Sequence, residues 1–371
     1  MKISFMHFID TQFGKPLCFF FSCVKKIRNI FFTKQQILTA QNKPIKILFI
    51  ELPEMGSAFM CYTSLKKIID NTANNIELFF LIFEKNAESI RILNLLKPEN
   101  IITIRSDNFI NFCIDTIKTI FYFRKQKIDI IIDLEIFSRF SVIYSFLIGA
   151  KEIIGFYMQN IEGLYRGDIL TKKINYNYYQ HISKNYLALT EAALEIISKN
   201  SNFNNLTETS YSHIDKILLK QPITTDILIP KINKDSKIIE QLKIKIKSIY
   251  PDFEAQKFKI FVISPDGGEI PIRAWAADNY IKLSQKLINT FNNLIVIITG
   301  GKSSIKYNNE IYNKIQSNRC LNLTDKTILI EFIQLLHLAN VFLTNDGGAA
   351  HFASATNTPA FIFFGPETPI M

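Results

Sequence analysis

The feature that most restricts this chain is a series of short, uninterrupted apolar runs, separated by longer stretches with helical spacing. Ile45–Leu52, Glu77–Ile82, Ile101–Ile104 and Ile128–Leu134 read as strands. Between them, Ser57–Asp70 has Leu65, Ile68 and Ile69 on one helical face, and Asn108–Phe123 forms a second helix. A strand without polar alternation has no face to give to water, so such runs belong in a parallel sheet covered by helices on both sides. The pattern recurs later. Phe258–Ile263, Leu294–Thr299, Val341–Thr344 and Ala360–Phe364 read as strands, and Asp235–Ile249, Ala277–Phe291, Ile305–Gln316, Ile328–His337 and Ala349–Thr356 as helices. Between the two series lie an irregular stretch, Gly155–Asn177, a long helix, Tyr179–Lys199, and Asn200–Pro230, whose Asn, Thr and Ser content suits an interdomain connection. A chain of 371 residues exceeds what one core supports. The simplest architecture is α/β: two Rossmann-like doubly wound domains, residues 44–228 and 229–371, with ligands bound at the carboxyl ends of strands.

Residues 1–43 stand apart as an amphipathic extension. Leu17–Val24 is apolar and aromatic but too short to span a bilayer, and no small-residue cleavage site marks a signal peptide. Phe19, Phe20, Phe21, Ile27, Ile30, Phe31 and Phe32 beside Lys25, Lys26 and Arg28 suit an interfacial helix on a membrane, or a helix packed on the main body. On the membrane reading, a chain lacking residues 1–40 stays soluble and folded but no longer sediments with anionic vesicles.

Lys and Arg total 43 against 33 Asp and Glu, a net charge of +10, which favours nucleotide phosphates, anionic lipid or nucleic acid as partners. No compact run of five or more basic residues occurs, which argues against nucleic acid. The five cysteines are scattered with no C-x-x-C, which argues against a disulfide framework or a zinc site and suits a cytoplasmic protein.

The segment Val341–Pro369 carries the clearest chemistry. A strand ends at Thr344, Asn345 and Asp346 follow, and Gly347 and Gly348 open a helix. Glycines there let a phosphate approach the backbone, and the N–H groups of the first turn, Ala349 included, point at it along the helix dipole. His351 lies one turn in, able to donate to the same group, and Asp346 could cap the helix or orient the loop. The plainer alternative is a tight strand–helix turn with an Asp cap and a buried His.

This segment resembles the C-terminal signature of the heptosyltransferase family of glycosyltransferases, family nine. Asp346, Gly348 and His351, then Thr358-Pro359, then Phe364-Gly365-Pro366 and Pro369 fall on the motif, with Gly347 in place of the usual Ser or Thr. Ile263–Trp275 is similar to the family's strand–loop–basic–x–Trp element, with Arg273 and Trp275 on the two marked positions. Ile298–Lys302 resembles its Thr-Gly-Gly turn near the nucleotide, through Gly300 and Gly301; it is no Walker A loop, because Val296 holds the upstream glycine position. Asn322–Leu336 resembles the segment beside the base, and Asp129–Phe156 a first-domain element ending in Gly155-Phe156.

The resemblance implies a GT-B fold, in which two such domains face across a cleft. It implies inverting, metal-independent transfer of a sugar, typically heptose from ADP-heptose, to a lipopolysaccharide-core or other cell-surface acceptor at the cytoplasmic side of the inner membrane. The nucleotide-sugar is a co-substrate; no cofactor or metal is expected, and the sequence has no Asp-x-Asp motif. Arg273 and helix N-termini would then balance the leaving diphosphate. Two departures stand out. The family's Gly-Asp carries the expected general base, but here the stretch is Gly56-Ser57, so Glu54 in the same loop is the candidate base and Glu51 its rival. Members also continue past Phe-Gly-Pro with a helix returning to the first domain, whereas this chain stops at Met371. Both departures keep open a catalytically silent nucleotide-sugar-binding or scaffold protein. A sugar-nucleotide epimerase fits less well, for want of an early glycine-rich dinucleotide loop.

Overall fold

A computed structural model describes residues 3–31, 43–72, 75–136, 138–157, 165–200, 226–267 and 271–365. The chain divides into two compact units, Met1–Leu228 and Ile229–Met371. The proposed connection Asn200–Pro230 falls largely outside the described residues.

The first unit opens with helices α1 (Ile3–Gln12) and α2 (Gly14–Phe31). Then come β1 (Ile45–Ile50), α3 (Met55–Met60), α4 (Tyr62–Asn71), β2 (Ile76–Phe83), α5 (Glu88–Arg91) and β3 (Ile101–Ile104). The unit continues with α6 (Phe109–Gln126), β4 (Ile130–Asp133), α7 (Arg139–Ile148), β5 (Glu152–Phe156), β6 (Lys172–Ile174) and α8 (Ile182–Asn200). The single helix expected over Ser57–Asp70 is two, beginning at Met55 and parting at Cys61. The stretch from Gly155, expected to be irregular, holds the end of β5 and all of β6. The six strands are parallel in the order β3-β2-β1-β4-β5-β6. Ile47 to Ile50 on β1 are fully buried, which is why that run alternates with nothing polar.

The amino-terminal extension belongs to this unit's core. Cys18 is fully buried and clusters with Ile153, Ile169 and Leu170. Ser22 Oγ accepts the Asp168 N–H (2.6 Å), and Lys25 Nζ donates to the carbonyls of Asp168 and Leu170 (both 2.9 Å). Gly167 makes the approach possible. Its φ of +68° suits glycine, and a Cβ there would lie 2.6 Å from the Cys18 carbonyl oxygen. Asp10 at the end of α1 accepts the backbone N–H groups of Arg139 and Phe140 (2.8 and 2.9 Å) and pairs with the Arg139 guanidinium. It thus caps α7, where a carboxylate meets the positive end of the helix dipole. One side of this segment packs on the main body, so soluble folding without residues 1–40 is not expected.

The second unit runs α9 (Ser236–Ile249), β7 (Lys259–Ser264), α10 (Ala277–Thr290), β8 (Leu294–Ile298), α11 (Ile305–Ile315), β9 (Cys320–Asn322), α12 (Leu329–Leu338), β10 (Val341–Asn345), α13 (Gly348–Ala353) and β11 (Ala360–Phe363). Its parallel order is β11-β10-β7-β8-β9. Strand β7 sends Ile260 and Val262 into one core, with Leu242 and Leu336, and Phe261 and Ile263 into another, with Tyr280 and Ile311. Successive side chains of a strand point to opposite faces, so an apolar run with no alternation supplies two cores at once.

Both sheets have a point where the strand order reverses. In the first unit β1 leads to β2 on one side, while β4 lies on its other side; in the second, β7 leads to β8, while β10 lies opposite. The carboxyl ends of β1 and β4, and of β7 and β10, are therefore the crevices in which doubly wound sheets bind ligands.

Removing residues 1–31 is expected to lower the unfolding midpoint of the first unit by about 10 °C or more, because it uncovers the Gly167–Leu170 segment and takes the Asp10 carboxylate from the first turn of α7. A thermal melt followed by amide hydrogen exchange in β5 and β6 checks this; an unchanged midpoint would make the extension an appendage.

Candidate functional site

In the second unit the switch point is built around Asn345, which is almost completely buried. Its Oδ1 accepts the Trp275 N–H and the Tyr280 hydroxyl (both 3.0 Å), and its Nδ2 donates to the Pro265 carbonyl (2.8 Å). One amide thus ties the end of β10 to both sides of the loop that leaves β7. Trp275 is wedged against Tyr280 and Phe363, with ring centroids 5.0 and 4.6 Å away. The single turn Pro271–Arg273 precedes it, so Arg273 is held at the strand ends by a packed neighbour. Its Nε lies 3.8 Å from Asp346 Oδ2.

This arrangement corrects the part proposed for Asp346. The residue capping α13 is Gly347, with extended backbone and no side-chain cap; Asp346 instead faces the guanidinium. Gly347 and Gly348 have space above them: a Cβ at Gly347 would meet nothing within 4 Å, and one at Gly348 only a Phe352 ring carbon at 3.8 Å. Gly348 is exposed, while Ala349 and His351 behind it are partly buried. Asp346, Gly347, Gly348, Ala349 and His351 thus follow the end of β10, with Arg273 next to Asp346.

Gly300 and Gly301 follow β8, on the neighbouring strand, and differ from each other. A Cβ on Gly300 would sit 2.7 Å from Asn308 Nδ2 and 3.0 Å from Ser304 Cβ, whereas Gly301 has nothing within 4 Å. Asn308 is buried and donates to Thr299 O and Thr324 Oγ1, so Gly300 serves packing. Gly365 has a related role. A Cβ there would lie 3.1 Å from the Ile272 carbonyl oxygen and 3.2 Å from Arg273 Cα, so the Phe-Gly stretch passes directly against the turn that carries Arg273. Pro366 and Pro369 lie outside the described residues.

In the first unit the loop after β1 carries the carboxylates. Glu54 is exposed and accepts the Ser57 hydroxyl (2.6 Å). Glu51, the rival, is buried, with the Tyr186 hydroxyl 3.3 Å from its Oε2. Sequence reasoning missed three residues here. Glu135 Oε1 accepts the Leu52 N–H (2.7 Å), and Asn86 donates to the carbonyls of Leu52 and Pro53 (3.0 and 2.7 Å), so the Glu54 loop is held from two sides. Arg166, itself buried, donates to Asp133, to Ser141 Oγ and to the carbonyls of Glu135 and Phe156. The one available signal was Asp133-Leu-Glu135, two carboxylates directly after an apolar strand. Nothing local betrays Arg166, which reaches the site from a loop.

Burial, and then the charges of Glu135 and Glu54, hold the Glu51 carboxyl well above the usual range. Burial likewise pushes Glu135 up to about 8, the Leu52 N–H opposing it. Of the three carboxylates, Glu54 is the one exposed to solvent, while Glu51 and Glu135 are buried.

Two measurements follow from this geometry. Gly300→Ala is expected to destabilise the protein by about 1–3 kcal/mol, because Asn308 must give way, while Gly301→Ala stays within about 0.5 kcal/mol of the parent. Denaturant unfolding of the two variants compares them directly. The raised carboxyls also set a pH trend. Through Glu135 the folded state binds more protons than the unfolded one between about 4.5 and about 8, so this group's contribution to stability is fully present below that window and is lost as pH rises through it. Glu135→Gln should flatten the fall; an unfolding midpoint with the parent's full slope across that range would contradict the assignment.

Comparison with known proteins bears on the family and the fold. The sequence profile of glycosyltransferase family 9 (heptosyltransferase) matches residues 122–371, which takes in Glu135 and the whole second unit but not Glu54. Lipopolysaccharide heptosyltransferase 2 of Salmonella typhimurium is 29% identical over 102 residues, 27% of this chain and 29% of that protein. Lipooligosaccharide heptosyltransferase 2 of Campylobacter jejuni is 27% identical over 128 residues, 34% of this chain and 40% of that protein. The aligned stretch thus spans less than half the length of either curated relative. The structure of a family 9 glycosyl transferase from Veillonella parvula superposes with a TM-score of 0.64 at 14% identity, over 90% of this chain and 85% of that one. That of E. coli ADP-heptose lps heptosyltransferase II does so with a TM-score of 0.64 at 17% identity, over 88% and 87%. These likenesses establish the GT-B fold. With more than half of its length matched by the profile, the chain belongs to glycosyltransferase family 9, the heptosyltransferase family.

Proposed function

We propose that the protein is an inverting, metal-independent glycosyltransferase that moves a heptose-like sugar from a nucleotide-sugar donor, with ADP-heptose the first candidate, to a lipopolysaccharide-core or other cell-surface glycan acceptor. It works in the cytoplasm, peripherally at the inner membrane. The observation that carries this is the braced Arg273 at the switch point of the second unit, 3.8 Å from Asp346 and beside the open backbone of Gly347 and Gly348. In the reaction the acceptor hydroxyl attacks the anomeric carbon from the face opposite the diphosphate. The new C–O bond forms as the bond to the diphosphate breaks, and the nucleoside diphosphate leaves with an added negative charge. Arg273 and the first-turn N–H groups of α13 receive that charge, and Asp346 keeps the guanidinium aimed while the site is empty. The hydroxyl proton passes to Glu54, which the Ser57 hydroxyl orients. Glu51 and Glu135 are buried, which leaves Glu54 as the exposed carboxylate of the loop.

A second reading has its own observation. On the resemblance, Ser57 falls where the family's general-base Asp is expected, and Glu54 is already engaged by the Ser57 hydroxyl. A protein built so could bind a nucleotide-sugar without transferring it.

A thermal-shift screen across ADP-, UDP-, GDP- and CMP-sugars identifies the donor, since a ligand that binds the native state raises the melting temperature. With that donor, Arg273→Ala should cut transfer far more than stability, and Lys should restore it only in part because it lacks the bidentate fork. Glu54→Gln is expected to lower transfer roughly a hundredfold or more with donor binding intact. Near-normal transfer in Glu54→Gln but not Glu51→Gln would move the base to Glu51. A wild type that binds donor yet transfers nothing would establish the silent reading.

A further inference from the structure

Two helices on one face of the first unit's sheet turn apolar stripes away from the protein. Helix α2 is inverted relative to an ordinary surface helix, which hides its apolar stripe. Its inward residues, Gly14, Cys18, Ser22 and Lys25, recur every three or four positions and are small or polar. The opposite side carries Phe13, Leu17, Phe20 and Ile27, exposed by 58, 41, 58 and 55%. Helix α6 has a second stripe, Ile110, Ile114, Ile117 and Phe121, spaced i, i+4, i+7 and i+11 and exposed by 69, 41, 56 and 65%. Its inward side is Thr119 and Phe123.

Both helices pack on α7. Phe21 of α2 meets Phe146 with ring centroids 5.1 Å apart, and Phe112 of α6 meets Phe140 at 5.0 Å. The stripes therefore flank one helix and share an outward direction. Lys15, Lys26 and Arg28 border the first stripe, and Lys118 and Lys125 the second, all exposed. Across α2 and α6 the one carboxylate is Asp115, and it is bound to Arg105 (2.7 Å). An apolar surface of this extent marks an interaction site. Its cationic border selects the occupant: two copies meeting here would bring like charges together, whereas an anionic bilayer takes the rings at headgroup depth while the cations reach its phosphates. Among the described residues no helix is long and apolar enough to cross a membrane, so the contact is interfacial.

We propose that α2 and α6 together form a lipid-facing surface that seats the first unit on an anionic bilayer. This deepens the peripheral location given above and is independent of donor chemistry. The test is co-sedimentation of the full chain with vesicles of phosphatidylglycerol and phosphatidylethanolamine, against phosphatidylcholine alone. The parent should partition into the anionic vesicles and much less into the neutral ones. Phe20→Ser with Ile27→Ser, and separately Ile114→Ser with Ile117→Ser, should each weaken partition at least about tenfold. Because these side chains are exposed, the unfolding midpoint and any ADP-heptose thermal shift should stay as in the parent. Loss of the ADP-heptose shift with vesicle binding intact would sink the donor assignment and support this surface. If the α6 pair binds vesicles like the parent, the two-helix surface is wrong. It is equally wrong if the parent ignores vesicles but sediments as a dimer that these substitutions split.

Discussion

The carboxylate-bearing end of the first unit depends on one buried guanidinium. Arg166 meets Asp133 at the end of β4, the carbonyls of Glu135 and Phe156 beyond β4 and β5, and Ser141 in α7. Burial raises the Asp133 carboxyl, and the Arg166 charge pulls it back. Removing either partner would strand a charge in an apolar interior, so the pair cannot be weakened piecemeal. It holds the chain turning out of β4 in place. That turn presents Glu135, and Glu135 in turn fixes the Leu52 N–H and the loop that carries Glu54. Arg166 is held in its own place by the Gly167–Leu170 segment, against which α2 packs. The amino-terminal helix and the candidate base are therefore two ends of one chain of contacts.

The second unit solves the same problem with a neutral group. Asn345 supplies two acceptor contacts and one donor contact with no charge to compensate, and so can sit directly beneath the site without biasing its electrostatics. The charge is left to Arg273 and Asp346 above it. A carboxylate at residue 345 would oppose the phosphate proposed to bind at the Gly347–Gly348 turn; the amide does not.

Much of this was legible in the sequence because the sheets impose it. Strands buried on both faces have to be unbroken apolar runs, and their carboxyl ends are the first positions where polar residues can stand. Asp346, Gly347, Gly348 and Glu54 were found that way. What was not legible depends on distance along the chain. Asn345 reads as the first loop residue after a strand until Trp275, seventy positions away, is seen donating to it. Arg166 lies thirty-three positions from Asp133, in a stretch that looked irregular. Gly300 reads like Gly301 until Asn308 is seen filling the space above it. Residues 1–31 were ambiguous for a different reason. The apolar half of α2 is its outer half, so hydrophobicity alone could not say that the inner half packs.

The exposed stripes and the carboxylate loop also share an edge of the sheet. In a doubly wound sheet each helix begins where the preceding strand ends. The first turns of α6 and α7 therefore lie at the same edge as Glu51, Glu54 and Glu135. Ile110 is at that end of α6, and Asp10 brings the junction of α1 and α2 to that end of α7. A sugar carried on a lipid would thus leave the bilayer on the side where Glu54 is exposed. The inverted helix α2 suits both requirements: its polar face braces the loop that positions the carboxylates, and its apolar face, on the proposed lipid-facing surface, would offer the protein to the bilayer on which such an acceptor is held. A helix with the usual orientation would meet the first requirement and lose the second.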